Sequence, residues 1–219
     1  MENKAHRVQR TFSRETPDQR KQGLIQATLR VISKNGLSAA TVRAIAQEAN
    51  VTQGLIRHHF SNKEELICAA YDYHMQQMNQ PSFKAADLET ASARERLAKF
   101  VIISLSPPVV DQQAIALWAG FFQLAQHDAR MHTTHKRTYL QFRDKIESLI
   151  EEAVEECGGR LKIAQLRRLA IACNAIIDGL WLEGVALQDH FSISELADIG
   201  LVSIGKILDI NLSDFTENS

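Results

Sequence analysis

The chain has 219 residues, of which 45% are hydrophobic, and a formal net charge of −1; that apolar content is enough to bury a sizeable core. The near-neutral total conceals a split, because residues 1–63 hold 11 Lys/Arg against 4 Asp/Glu while residues 64–219 hold 14 against 22. No uninterrupted apolar run approaches the ~20 residues of a membrane span and the start lacks a signal-peptide core, so a soluble cytoplasmic protein is expected.

Residues 1–17, MENKAHRVQRTFSRETP, carry Lys4, Arg7, Arg10 and Arg14 with almost no apolar periodicity. They read as a basic arm that could reach a groove or a run of phosphates, or equally as a plain polar terminus. Residues 18–34 follow with apolar positions at Leu24, Ile25, Ala27, Thr28, Leu29 and Ile32, and Asn35-Gly36 is a sound helix stop. Thr41 then caps a short helix whose stripe is Val42, Ile45, Ala46 and Ala49. The run breaks at Ala49-Asn50-Val51, where Asn50 is suited to a left-handed backbone. Thr52 caps a second short helix with Leu55, Ile56 and Phe60 inward and Gln53, Gly54, Arg57, His58 and His59 outward. Two short helices across a tight turn, the second with a polar outer face, read as a helix-turn-helix whose second helix enters a DNA major groove. Ser61 opens Ser-Asn-Lys-Glu, a capping-box pattern for the next helix.

From Lys63 onward the pattern is helix after helix: 63–80 up to Pro81, a polar connector at 82–91, then 92–105, 109–127, 129–157 up to Gly158-Gly159, 163–188 and 192–210. Pro81 and Pro107-Pro108 are expected to lie outside helices. Alternating strand patterns are lacking, so the expected fold is all-α: a basic arm (1–17), a helix-turn-helix DNA-binding domain (18–63) and a helical body (64–219). The stretch 169–187, LAIACNAIIDGLWLEGVAL, is apolar nearly all round and interrupted by small residues including Gly179 and Gly184; residues 196–208 repeat this with Gly200 and Gly205. Such helices must be covered on most faces, by one core or by a second copy of the chain.

The order of residues over 18–75 resembles the N-terminal domain of TetR-type transcriptional repressors. Gly36, Thr41-Val42-Arg43, Ile45-Ala46, Val51-Thr52, His59-Phe60, Lys63 and Leu66 carry the match; Asn50 stands where that family usually has Gly, and Arg57-His58 where aromatic residues are common. WAGFFQLAQHDARMHTTHKRTYLQFRDKIESLI and AIIDGLWLEGVAL are similar to the choline-responsive BetI branch of the same family. The resemblance implies operator DNA as partner, contacted by Thr41, Arg43, Thr52, Gln53, Gly54, Arg57, His58, His59 and Lys63. It also implies a homodimer joined through its last two helices in a four-helix bundle, and a small-molecule effector in the body.

Trp118, Phe121 and Phe122 share a helical face by spacing, as do Asp178 and Trp181 further on. Aromatic faces beside a carboxylate suit a quaternary ammonium ion by cation–π attraction, though the same spacing describes a filled core. The expected effector site therefore draws on Phe100, Trp118, Phe122, Tyr139 and Trp181, with Asp178 or Glu183 as polar anchor and choline as first ligand. Asp178 needs a partner in an apolar helix, whether a ligand cation, a backbone group or a neighbouring Arg. His127, Asp128, His132 and His135 have a spacing compatible with a metal, but they fall in a polar segment where exposed side chains explain them equally well. Cys68, Cys157 and Cys173, odd in number and without CxxC spacing, read as small buried fillers. No metal, cofactor or enzymatic arrangement is expected. A regulator of the same fold controlled by another effector or by a protein partner is the alternative.

Overall fold

A computed structural model describes residues 16–192 and 194–215. The basic arm, apart from its last two residues, lies outside the described residues. Within them the chain forms α-helices and short 3-10 turns and no strand. Helix α1 spans Pro17–Asn35, α2 Val42–Glu48, α3 Gln53–His59, α4 Lys63–Ala86, α5 Ala93–Ser104, α6 Gln112–Ala125, α7 Ala129–Glu156, α8 Ile163–Ala186 and α9 Glu195–Leu208.

The caps explain the boundaries. Thr16 begins α1 through a reciprocal box: its hydroxyl accepts from the Gln19 amide at 3.2 Å and the Gln19 side chain accepts from the Thr16 amide at 2.8 Å. Thr41 accepts from the Ala44 amide at 3.1 Å to begin α2. Asn50 adopts φ 54° in the turn, the left-handed conformation expected of it. Thr52 occupies the N-cap of α3 but its side chain makes no capping hydrogen bond. The cap of α4 is Asn62, not Ser61: Asn62 Oδ1 accepts from the Glu65 amide at 2.8 Å, and Glu65 accepts from the Ser61 amide at 2.8 Å.

The largest departure from the expected pattern is Pro81, which sits inside α4. A proline there removes one backbone bond, to the Gln77 carbonyl. Gln77 is exposed, so that carbonyl can take water instead, and α4 is held on its other sides by α5 and α7. Tertiary packing outweighs the local break. The connector shrinks to 87–92, and Ser92 caps α5.

Two apolar clusters organise the chain. One joins Leu24, Ile32, Ile45, Ile56 and Phe60 to Leu66, Tyr71, Leu117, Phe121 and Met131, so the core of the first three helices continues into α4, α6 and the start of α7. The other joins α5, α7, α8 and α9 through Leu97, Phe100, Ile146, Ile150, Ile177, Leu201 and Ile204. Helix α8 is long and apolar enough by length and composition to cross a membrane, a run the sequence reading did not count. Here it packs on α7 and α9, burying Leu166, Ala170, Cys173 and Ile177. Cys68 and Cys173 are buried, whereas Cys157, expected to be buried, is exposed at the end of α7.

Candidate functional site

The helix-turn-helix is clamped by charge as well as by its core. Glu48 at the end of α2 pairs with Arg30 at 2.7 Å and Lys34 at 3.7 Å, both on α1. The hydrogen bond from Arg30 lowers the Glu48 carboxyl below its ordinary value. Lys21 lies over the Phe60 ring at 5.5 Å, tying α1 to the end of α3. Anchored this way, α3 turns Thr52, Gln53, Gly54, Arg57 and His58 to solvent, with Thr41 and Arg43 exposed on α2. His59 and Lys63 are only partly exposed. His59 meets His58 edge-on at 5.1 Å, and Lys63 reaches Glu64 at 3.9 Å.

Gly54 is informative here. A Cβ built on it would meet only the Thr52 hydroxyl, at 3.8 Å. Neither packing nor a left-handed backbone requires glycine, although glycine costs a helix about 1 kcal/mol relative to alanine. A close approach from outside the chain would explain it.

In the body, Trp118 from α6, Tyr139 and Phe142 from α7, and Ile177, Asp178 and Trp181 from α8 surround a cavity of about 90 Å³. Its remaining walls come from Met75, Met78, Asn79 and Ser82 of α4, Ser104 of α5 and Val109. A larger cavity of about 480 Å³ shares Trp118, Tyr139, Asp178 and Trp181 with it and adds Phe122 and His135. Trp118 stacks on Phe122 at 5.2 Å and meets Trp181 edge-on at 6.2 Å. Five of the seven expected residues thus come together: Trp118, Phe122, Tyr139, Asp178 and Trp181.

Two do not. Phe100 is 0% exposed and packs against Phe142 at 5.0 Å and Phe83 at 6.3 Å, behind the cavity wall. Glu183 is exposed and lines neither cavity; five positions beyond Asp178, it has rotated well off that residue's face of α8. The α4 residues and Ser104 carry no sequence signal for a cavity, and His135, expected as a metal candidate or an exposed side chain, lines the larger cavity instead. Nothing in one chain's periodicity says that α4 and α5 face the aromatics of α6 and α8.

Asp178 is the electrostatic centre. Its Oδ2 accepts from the Tyr139 hydroxyl at 2.6 Å and from the Asn174 amide at 2.7 Å, and Asn174 also donates to the Tyr139 oxygen at 2.8 Å. Burial pushes the Asp178 carboxyl above its ordinary value, against the lowering effect of those two donors. Tyr139 is pushed up to about 12, by burial and by Asp178. Trp181 donates its indole N–H to the Val109 carbonyl at 3.0 Å, which fixes its ring as a wall. His135 turns inward to the Tyr71 hydroxyl, Nδ1 at 2.7 Å, and Asp128 Oδ1 caps α7 by accepting from the Met131 amide at 2.7 Å. Those two members of the His127–His135 segment are thereby occupied with packing. A partly buried carboxylate beside aromatic faces is an arrangement that holds a compact organic cation.

A profile described as BetI-type transcriptional repressor, C-terminal, matches residues 93–208, and one described as bacterial regulatory proteins, tetR family, matches residues 24–70. The HTH-type transcriptional regulator BetI of Proteus mirabilis is 30% identical over 181 residues, covering 82% of this chain and 87% of that protein. BetI of Paraburkholderia phymatum is 29% identical over 176 residues, covering 78% and 84%. Among solved structures, a transcriptional regulator from Pseudomonas aeruginosa PAO1 superposes with a TM-score of 0.82 at 30% identity, covering 91% of this chain and 95% of that one. A transcriptional regulator from Saccharomonospora viridis in complex with choline shares the fold at a TM-score of 0.67 and 19% identity, covering 86% and 95%. Taken with a helix-turn-helix whose polar face is open, these matches show that the chain belongs to the TetR family of bacterial transcriptional regulators and, through its C-terminal region, to the BetI-type repressors.

Proposed function

We propose that this protein is a homodimeric repressor that binds an inverted-repeat operator and is released from it by a compact quaternary ammonium compound, choline being the first candidate. The observation that carries this reading is the meeting of Trp118, Tyr139, Trp181 and Asp178 around one small cavity. Cation–π attraction inside a desolvated site contributes ~2 kcal/mol or more. The two cavities that share these walls, about 90 and 480 Å³, leave room for a compact cation beside the carboxylate.

For the DNA side, the supporting observations are the exposed polar face of α3 and the unexplained Gly54. Arg57 and Gln53 suit base edges, with His58 and His59 beside them; Thr41, Arg43, Thr52 and Lys63 suit phosphates. The open position at Gly54 leaves room for a DNA backbone to come close.

For the dimer, the support is a stripe left uncovered on α8 and α9. Ile171, Ala175, Gly179 and Leu182 share one exposed face of α8, and Ile199, Val202 and Ile207 are exposed on α9. A second copy would cover that stripe, and two α3 helices spaced by about one turn of DNA, ~34–36 Å or a modest excess, would then read an inverted repeat.

Helix α4 gives the coupling a physical route. It begins at Lys63, beside the DNA-facing surface, and carries Met75, Met78, Asn79 and Ser82 into the cavity wall. A ligand that prefers one placement of α4 shifts the population of head orientations by its difference in affinity, and by no more. The test is a footprint on DNA flanking the protein's own coding region. The expected result is protection of an inverted repeat that is lost on adding choline; protection unchanged by choline would contradict the choline assignment.

A further inference from the structure

The cavity has a second polar group in its wall, and counting its hydrogens shows what that group can accept. Ser82 on α4 and Ser104 on α5 are both buried, 1% and 2% exposed, and both line the cavity with Asp178 and Trp181. Their hydroxyl oxygens lie 2.9 Å apart, and Ser104 Oγ donates to the Phe100 carbonyl at 2.7 Å. A serine hydroxyl has one hydrogen. Ser104 has committed its own to Phe100, so the bond between the two serines must be donated by Ser82. Ser82 then has no hydrogen left and retains lone pairs that no other described residue fills.

Further hydrogens on the cavity wall are equally committed. Tyr139 donates to Asp178 and Trp181 donates to the Val109 carbonyl. The lining of one cavity thus combines a carboxylate and aromatic faces from α6, α7 and α8 with a serine on α4 that can only accept. Asn79 lies one turn before Ser82 on α4 and lines the same cavity, with both an acceptor oxygen and donor hydrogens on its amide. A ligand hydrogen placed on the free lone pair of Ser82 gains a hydrogen bond that an apolar tail cannot make.

We propose that Ser82, its orientation fixed by Ser104, is a specificity-determining acceptor that selects a compact cation carrying a hydroxyl tail over one whose tail is apolar or can only accept. The proposal rests on reading this cavity as the effector site. It assigns the two polar groups separately: Asp178 and the aromatic rings take the cationic head, and Ser82 takes the hydroxyl hydrogen of the tail.

The experiment is calorimetric titration of the full chain with three quaternary ammonium ions: choline, its O-methyl ether, and propyltrimethylammonium, in which a methyl replaces the hydroxyl. For the wild type, choline is expected to bind about threefold to tenfold more tightly than either analogue, the range for one neutral hydrogen bond. In Ser82→Ala that ratio should fall to about one while all three ions still bind. Equal affinities in the wild type overturn the acceptor proposal and leave the cation site standing. A preference for choline that persists in Ser82→Ala also overturns it, because the hydroxyl is then read elsewhere. If none of the three ions binds the wild type, the cation site falls together with the proposal. The wild-type comparison needs no variant to fold.

Discussion

The Tyr139 hydroxyl donates to Asp178 Oδ2 at 2.6 Å, joining α7 to α8 across the cavity wall. This bond and that from Asn174 both fall on the same carboxylate oxygen. They hold a negative charge in a place where burial raises the carboxyl above its ordinary value.

From that shift comes a pH dependence with two opposite signs. The folded carboxyl binds its proton more tightly than the unfolded one, so between the two values the native state holds more protons, and stability from this group falls as pH rises through that window. A cation favours the ionised form, so choline affinity should rise over the same window and binding should release protons. Calorimetry in two buffers of different ionisation enthalpy measures that release. Asp178→Asn should lose it, bind choline about 10- to 100-fold more weakly (~1.5–3 kcal/mol for a hydrogen-bonded charge), and still bind operator.

Phe100 and Trp118 separate core from cavity. Phe100→Ala removes a fully buried ring and should cost ~3–5 kcal/mol in urea unfolding. Trp118 is partly exposed and borders open space, so Trp118→Ala should cost clearly less stability while abolishing the response of operator binding to choline. A Trp118→Ala variant as destabilised as Phe100→Ala would place that ring in the core.

This contrast shows where sequence stops being informative. Phe100 and Trp118 carry the same signal, an aromatic at helical spacing, and only the packing of α5 against Phe83 and Phe142 puts one of them behind the wall. The head was legible because its signals are local: Thr41 caps the backbone three residues on and Asn50 takes the left-handed turn itself. Pro81 was misread because its local rule is overridden by contacts with α5 and α7. Ser82, Ser104 and the α4 methionines carry no signal of their own.

Gly54→Ala should separate folding from DNA binding. The added methyl meets nothing closer than 3.8 Å within the chain and should raise stability by ~0.5–1 kcal/mol through helix propensity. Operator affinity should nonetheless fall. Arg57→Ala should cost ~1–3 kcal/mol and relax base preference at one position, whereas Lys63→Ala should weaken all sequences alike and flatten the salt dependence. Fluorescence anisotropy with operator and scrambled duplexes at several salt concentrations separates these outcomes.

Two glycines of the last helices should behave differently. A Cβ at Gly179 has no atom within 4 Å, whereas one at Gly205 would sit 2.8 Å from the Ile210 carbonyl oxygen within the same chain. Both look alike in sequence as small residues for a helix crossing, but Gly205 serves the chain's own close approach at the end of α9. Gly179→Leu should leave a folded chain that sediments as monomer, and Gly205→Leu should lower the unfolding midpoint itself. A wild-type monomer at micromolar concentration would remove the dimer from the account.

The central claim is that the cavity ligand and the operator oppose each other, and reciprocity tests it most directly. If choline weakens operator binding, operator must weaken choline binding by the same factor, typically about 5- to 150-fold. The measurement is the choline affinity of the protein alone and of the protein saturated with its inverted-repeat duplex. The expected result is a loss of choline affinity on the duplex that matches the loss of operator affinity caused by saturating choline. Choline binding with the same affinity in both states would contradict it.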